Sequence, residues 1–226
     1  MNAVQLEHVS KIRGSGRHAI QALHDVSVVV KPGEFVLLEG PSGAGKTTFL
    51  SIAAGLLTAD RGEVILAGRS LTGQTPAERR AQRAESVGFV FQRGNLLDGL
   101  NVTENVIVAA EIAGMDRIPA AERAAGLLAA LGIAHLSQRR TDELSGGEEH
   151  RVAVARALVH RPAVVFADEP TGNLDSRSGQ AVAEALAELA RADGVAVIVA
   201  THDVRLRRFA TRRIAIVDGR LSEQVE

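Results

Sequence analysis

Short apolar runs alternate with amphipathic stretches along most of the chain. Runs that are apolar or alternate in polarity predict strands at 4–9, 26–30, 35–38, 63–68, 87–91, 163–167, 195–200 and 214–217. Helical spacing predicts helices starting at 48 and 76, helices at 103–112, 119–131 and 178–192, and a short helix from 203. Because strands alternate with helices, we expect an α/β core with a largely parallel sheet.

Turn and capping residues predict where several of these elements begin and end. Thr75, Pro76 and Glu78 form the pattern of a capping box with proline in the first helical position. Asp218 and Gly219 predict a tight turn that would make the last strand part of a hairpin. A Lys-Pro-Gly turn at 31–33 ends an N-terminal strand–turn–strand region, which we expect to be antiparallel. Between Gln92 and His160 no strand is predicted, which indicates a helical insertion in the sheet-based core.

The composition narrows the class of protein. The chain has 226 residues, of which 46% are hydrophobic and 23% charged, and this favours a folded globular protein. A net charge of −1 gives no electrostatic footprint for wrapping nucleic acid, so we expect no nucleic-acid partner. The absence of cysteine excludes disulfides and thiolate metal sites. No apolar run reaches the roughly 20 residues of a membrane-spanning helix, so any role at a membrane requires a partner.

A glycine-rich segment between a predicted strand and a predicted helix matches the phosphate-binding loop pattern without a gap. It consists of Gly40, Pro41, Ser42, Gly43, Ala44, Gly45, Lys46, Thr47 and Thr48. Backbone N–H groups of such a loop surround phosphates, and the helix N-terminus adds partial positive charge. In this pattern Lys46 reaches the β- and γ-phosphates, and the Thr47 hydroxyl binds Mg²⁺. An ordinary glycine turn is disfavoured because lysine and threonine are in register, so we expect a nucleoside triphosphate site.

Two adjacent carboxylates follow a later apolar strand. Asp168 and Glu169 end the run from Val164, and ligands of α/β sheets bind at the carboxyl ends of strands. We expect Asp168 to hold Mg²⁺ and Glu169 to act as general base on the attacking water. The alternative, an acidic surface turn, is disfavoured because the same chain carries a phosphate loop.

A second candidate anion site precedes the helix predicted after residue 148. We call its residues the signature segment: Leu144, Ser145, Gly146, Gly147 and Glu148. Ser145 and Glu148 alone make a capping box, which is the simpler interpretation. The two intervening glycines are not needed for a cap, and their bare amides at a helix tip would suit an anion. Two phosphate-binding tips for one nucleotide suggest that the second serves the nucleotide of another copy.

Taken together, these elements resemble the ATP-binding subunit of an ABC transporter. The other elements that carry the resemblance are Gln92 after a strand, Asn173-Leu174-Asp175 and Thr201-His202-Asp203. The stretches 168–175 and 88–92 resemble a narrower group, the ATPases of lipoprotein-release, macrolide-export and cell-division-type transporters. The resemblance implies one ABC ATPase domain over 1–226. Residues 1–92 and 161–226 would form a RecA-like core with a β subdomain, and residues 93–160 a helical subdomain.

The resemblance also implies roles for individual residues. Gln92 would sense Mg²⁺ and the nucleophilic water, and His202 would bond the γ-phosphate and steady Glu169. The signature segment would contact the γ-phosphate held by the opposite subunit, and Asp175 would cross the dimer interface. The implied cofactors are ATP and Mg²⁺, the latter held by Thr47, Gln92 and Asp168.

Three residues depart from the family pattern. Where the family stacks an aromatic residue on adenine, counting back from Ala22 gives Arg13, and no aromatic lies between Met1 and Lys31. Either the Arg13 guanidinium covers the base, or the base packs on aliphatic groups. After the signature segment, Glu149 and His150 replace glutamines common in the family. We expect an exposed helix position for His150; the alternative is a pH-dependent effect through its nearness to the second anion site.

The expected function is that of an ATP-hydrolysing transporter subunit. Two copies would form a homodimer that sandwiches two Mg-ATP molecules, and its opening and closing would drive a transmembrane permease. The subunit would therefore be peripheral at the cytoplasmic face of the inner or plasma membrane. Soluble ABC-type ATPases are the alternative, but they typically carry a long coiled-coil insertion or two ATPase units. A regulatory module that uses ATP as a clamp is disfavoured by Glu169 and His202.

Overall fold

A computed structural model describes residues 1–92, 94–172 and 174–224. Within these ranges the chain forms ten strands and six α-helices. The strands are β1 (Val4–Arg13), β2 (Ile20–Val30), β3 (Phe35–Glu39), β4 (Arg61–Leu66), β5 (Arg69–Ser70), β6 (Val87–Val90), β7 (Val164–Asp168), β8 (Ala196–Ala200), β9 (Arg212–Val217) and β10 (Arg220–Gln224). The α-helices are α1 (Lys46–Ala53), α2 (Pro76–Ser86), α3 (Val102–Ile112), α4 (Arg117–Ala130), α5 (Gly146–Leu158) and α6 (Ser176–Ala192). Short 3₁₀ helices include Val204–Phe209.

The strands form two sheets. The larger has the order β10-β9-β3-β8-β7-β6, and its strands are parallel except for β10, which pairs antiparallel with β9. The smaller is antiparallel, in the order β2-β1-β4-β5. The predicted α/β class, the mostly parallel core sheet and the N-terminal antiparallel region are therefore confirmed, as is the hairpin at Asp218 and Gly219.

Alternate residues of the central strands face two different apolar layers. Leu37 and Val165 pack with α3, α4, α5 and α6, whereas Leu38 and Phe166 pack with α1 and the smaller sheet. The strand period of two places successive side chains on opposite faces, so a continuous apolar run serves both layers. Helices α3, α4 and α5 pack on one another and share the first layer, which accounts for the inserted helical region. Its bounds, 93–160, stay a prediction.

Several elements differ at their ends from the predicted ones. β1 continues to Arg13 and β2 begins at Ile20, because the polar residues between the apolar runs pair across a hairpin interrupted by bulges. The helix predicted from residue 203 is a 3₁₀ helix capped by Asp203. None of the helices in the described part of the chain has the length and hydrophobicity of a membrane span.

Two glycines offer a matched test of the packing between β6 and α5. A Cβ on Gly88 would lie 2.2 Å from the Ala157 carbonyl oxygen, whereas one on Gly126, in α4, would meet nothing within 4 Å. We expect Gly88→Ala to lower the free energy of unfolding by about 1–3 kcal/mol through overpacking. Gly126→Ala should raise it by about 0.5–1 kcal/mol, because alanine favours the helix. Urea unfolding measures both, and equal effects at the two positions would contradict the close approach.

Candidate active site

The phosphate loop joins β3 to α1, as its sequence predicts. Gly45 caps α1 with φ of 107°, and a Cβ there would lie 2.4 Å from the Ala22 carbonyl oxygen, so only glycine fits. Lys46 Nζ donates to the carbonyl oxygens of Gly40 at 2.6 Å and Pro41 at 2.9 Å. The ammonium group thus lies along the loop whose backbone would surround phosphates.

The loop opens on a cavity of about 270 Å³. Its lining joins residues from the phosphate loop, the ends of β6 and β7, and the start of β2: Ile20, Ala22, Ser42, Gly43, Gly45, Lys46, Thr47, Thr48, Gln92, Asp168 and Glu169. A larger cavity of about 620 Å³ lies at the amino-terminal ends of β7 and β8. We place the active site in the smaller one because it collects the phosphate loop and both carboxylates.

Asp168 and Thr47 form the part of the cavity suited to a cation. Thr47 Oγ1 donates to Asp168 Oδ2 at 2.7 Å. Burial raises the pKa of Asp168 most, the neighbouring Glu169 raises it further, and the Thr47 hydrogen bond and Lys46 oppose the rise. A hard cation would relieve the repulsion between these carboxylates, and hydroxyl and carboxylate oxygens are the donors that Mg²⁺ prefers. No cluster of three or more His, Cys, Asp or Glu suited to a metal occurs among the described residues.

Glu169 is held by residues from the adjacent strand end. Its Oε2 accepts a hydrogen bond from Thr201 Oγ1 at 3.0 Å, and its Oε1 lies 2.9 Å from His202 Nδ1. The residue has φ of 50°, a left-handed conformation that costs a non-glycine residue roughly 1 kcal/mol or more. The fold therefore holds the backbone of Glu169 in a strained conformation and places its carboxylate at the edge of the cavity. The predicted pairing of His202 with Glu169 is a direct contact.

The signature segment lies at the amino-terminal tip of α5. Ser145 caps the helix by accepting from the Glu148 backbone N–H, and a Glu148 carboxylate oxygen accepts from the Ser145 N–H at 2.8 Å. The simpler interpretation, a capping box, is thus present. Gly146 is exposed, and a Cβ on it would meet nothing within 4 Å. Among the described residues that line the phosphate-loop cavity, none comes from this segment.

Asp175 is engaged as the cap of α6. One of its carboxylate oxygens accepts from the backbone N–H groups of Arg177 at 2.9 Å and Ser178 at 3.0 Å. These bonds, that of Ser178 first, hold the pKa of Asp175 below its usual range. Arg151 of α5 also donates to the Ser178 hydroxyl. The capped end of α6 is therefore linked to the helix that bears the signature segment. Asn173, which the sequence analysis names two residues before Asp175, lies outside the described residues.

Arg13 is exposed at the end of β1, and the described lining of the cavity does not include it. Its register partner on β2 is Ile20, which is 69% exposed and does line the cavity. Sequence reasoning missed Ile20 because an isoleucine in a short loop-flanking segment carries no chemical signal. The structure reveals the role of Ile20 through the hairpin register, which pairs Ile20 with Arg13, the position predicted to cover the base.

The expectation for His150 is wrong. The residue is 2% exposed, and its ring is hydrogen-bonded to the backbone of Pro170, which directly follows Glu169. Its Nε2 is buried without a hydrogen-bond partner. Position 150 falls on the inner face of α5 together with Val154, one turn away, so the amphipathic period does predict burial.

Arg156, also on α5, is a second residue that sequence reasoning missed. Its guanidinium donates to the carbonyl oxygens of Gly94 at 2.9 Å and Asn95 at 2.8 Å, just after Gln92. These contacts join residues far apart in the chain, and no local pattern predicts them. The helix behind the signature segment thus reaches the segments after both Glu169 and Gln92.

The comparisons with known proteins agree with this geometry. Residues 23–172 match the family model described as ABC transporter. The chain is 42% identical over 220 residues to the lipoprotein-releasing system ATP-binding protein LolD 1 of Rhodospirillum rubrum, covering 97% of each. It is also 42% identical to the uncharacterized ABC transporter ATP-binding protein YbbA of Escherichia coli K12, covering 99% of this chain and 98% of the relative.

A solved structure is similar over the same length. The ATP-binding cassette MJ0796, in a dimeric post-hydrolysis state bound to ADP and Pi, superposes with a TM-score of 0.92 at 34% identity, covering 99% of both chains. The chain belongs to the ABC transporter family. It is an ATP-binding ATPase of that family, with the cassette fold of MJ0796.

The burial of His150 predicts a pH-dependent stability. Burial lowers its pKa, so the unfolded chain binds a proton more readily than the folded one. The stability that the neutral His150 ring gives the folded state is therefore present above the ordinary histidine pKa, and it is lost as the pH falls below that value. We expect unfolding free energy to fall more steeply from pH 7.5 to 5.5 in the native chain than in His150→Gln. The difference is at most about 1.4 kcal/mol per pH unit for one group.

The matched control is His135→Gln, at an exposed position. Chemical unfolding of the three proteins at several pH values separates the two histidines. An identical pH slope in the native chain and His150→Gln would contradict a proton-sensitive buried ring.

Proposed function

We propose that this chain is the Mg-ATP-hydrolysing subunit of a membrane transporter and that it works as a homodimer with a transmembrane permease. The observation that carries the catalytic part is the position of Glu169. Its carboxylate lines the cavity of the phosphate loop and is held between Thr201 and His202. A carboxylate fixed there is suited to polarise a water aimed at a γ-phosphate held by Lys46 and the loop amides.

Thr47, Asp168 and Gln92 are the proposed ligands of Mg²⁺, directly or through water. The ion would neutralise charge on the β- and γ-phosphate oxygens. Lys46 would exchange the carbonyls of Gly40 and Pro41 for phosphate oxygens, an exchange favoured by the stronger charge-assisted bond. His202 would donate to the γ-phosphate while its other contact steadies Glu169.

The second half of each site would come from the other copy. Leu144, Ser145, Gly146, Gly147 and Glu148 would approach the γ-phosphate across the dimer, and Asp175 would lie at the interface. Gly146 supports this arrangement, because its exposed amide at the positive end of α5 has open space around it. The dimeric state of the MJ0796 cassette supports the same pairing.

The base of the nucleotide would lie at the β1–β2 hairpin. Ile20 supplies the aliphatic alternative for packing on adenine, and Arg13, its cross-strand neighbour, supplies the cationic one. An exposed isoleucine against the base would discriminate bases weakly, because apolar packing reads no hydrogen-bonding edge.

The permease would bind the helical subdomain, for which we propose the bounds 93–160. The subunit would then lie at the cytoplasmic face of the inner or plasma membrane without spanning it. The relatives named as ATP-binding proteins of a lipoprotein-releasing system and of an ABC transporter support a membrane partner. Purifying a tagged copy from membranes and identifying an integral-membrane protein that co-purifies tests this part. Recovery of the native complex from the soluble fraction alone would favour the soluble ATPase.

Replacing Glu169 tests the general base. Glu169→Gln keeps the shape and loses the charge, so we expect ATP binding close to native and phosphate release slower by about 10²–10⁴-fold. Glu188→Gln, at a carboxylate 66% exposed on α6, is the control and should hydrolyse normally. Near-native turnover in Glu169→Gln would refute the assignment.

Mixing two defective protomers tests the composite site. Lys46→Ala removes the phosphate lysine, and Gly146→Asp places a negative charge at the signature tip, where the structure leaves room for the side chain. Each homodimer should be inactive. A mixed dimer should regain up to about half of the native rate, since one of its two sites combines a native phosphate loop with a native signature. Full activity of native protein held monomeric by dilution would contradict the shared site.

A further inference from the structure

Glu39, the last residue of β3 and the one before Gly40, is held by two arginines. Its Oε1 accepts from Arg207 Nε at 2.9 Å, and its Oε2 accepts from Arg213 Nη2 at 2.9 Å and Nε at 3.1 Å. Burial raises the pKa of Glu39, but the hydrogen bonds from Arg213 and Arg207 outweigh it and hold the pKa below its usual range. The carboxylate is therefore ionised where the phosphate loop begins.

The two arginines come from different parts of the fold. Arg213 lies on β9, in register with Leu37 on β3, so its bond to Glu39 stays within the sheet. Arg207 lies on the 3₁₀ helix Val204–Phe209, which follows His202 and Asp203. The bond from Arg207 therefore links the start of the phosphate loop to the segment that carries His202.

Asp203, the residue after His202, is anchored to the turn that follows Glu169. Asp203 accepts from the Thr171 hydroxyl at 2.7 Å and forms an ion pair with Arg205. The hydrogen bond from Arg205, above all, lowers the pKa of Asp203 to about 2. Thr171 is two residues beyond Glu169. Both anchors therefore follow His202 closely in the chain: Asp203 is bonded to the turn after Glu169, and Arg207 to the residue before Gly40.

Packing does not hold the ring of His202, because its side chain is 81% exposed. Its orientation therefore depends on the hydrogen bond to Glu169 and on the backbone position that the two anchors set. Lys46 Nζ bonds the Gly40 carbonyl, so the backbone beside Glu39 also positions the phosphate lysine.

We propose that Glu39 and Arg207 are a positioning pair for hydrolysis, setting the distance of His202 from the phosphate loop. This rests on the proposed function, in which His202 contacts the γ-phosphate and Glu169. The pair acts through His202 and touches no reacting atom. A small displacement of a positioned group lowers the rate of the chemical step more than it lowers substrate affinity.

The test is steady-state ATP hydrolysis by Arg207→Gln. We expect kcat to fall about three- to tenfold. An ion pair in which Arg207 is half-exposed stabilises its geometry only modestly, but a small shift of a positioned group can lower the rate several-fold. KM and the unfolding midpoint should stay close to native, and Arg207→Lys should retain most of the activity. Arg208→Gln is the matched control, because Arg208 lies over the Phe209 ring, 4.6 Å from its centroid, and should leave kcat unchanged.

A double-variant cycle shows whether the effect passes through His202. In a His202→Ala background, Arg207→Gln should cause little further loss, because coupled residues are not additive. A full additional loss there, or a native kcat in Arg207→Gln, would overturn the proposal. If Glu169→Gln is inactive while Arg207→Gln is native, only this inference fails. If Glu169→Gln hydrolyses ATP normally, the proposed function itself fails.

Discussion

The register of three neighbouring parallel strands is the constraint on which the site depends. β3, β8 and β7 align Leu38, Ala200 and Asp168 side by side. The residues that follow are then Glu39 before the phosphate loop, Thr201 before His202, and Glu169. Adjacent strands are about 4.8 Å apart, so three distant segments reach one edge within roughly 10 Å. A shift of one strand by one residue would exchange the faces of its side chains and separate these groups.

The same edge concentrates charge that the protein leaves poorly compensated. Asp168 is buried beside Glu169, and Lys46 bonds carbonyl oxygens rather than either carboxylate. By contrast, Glu39 and Asp203, just behind, are each neutralised by arginine. The structure thus distinguishes acidic groups that support the backbone from those that face the cavity. In the proposed site, the cation would balance the cavity-facing carboxylates, and Lys46 would balance part of the charge of the phosphate chain.

The local patterns of the sequence predict most of the strands and helices, and they predict the turns and caps formed by residues close together in the chain. The phosphate loop, the Thr75 and Ser145 caps and the Asp218 turn depend on neighbours in sequence, and each forms as expected. What local patterns do not contain is pairing between distant segments. Ile20 at the cavity and Arg156 on the Gly94 carbonyl follow from a hairpin register and a helix packing. His150 differs: the helical period of α5 indicates burial, and the prediction of an exposed position did not use that period.

Helix α5 shows why these distant contacts bear on function. Its tip is the signature segment, its second turn places His150 against Pro170, and Arg156 near its end holds the carbonyls after Gln92. A helix is stiff along its axis over this length, because each turn is hydrogen-bonded to the next. Movement of the tip against a second copy would therefore displace the turn after Glu169 and the segment after Gln92 together. In the proposed assembly, dimer closure and permease binding would therefore both act on segments that this helix contacts.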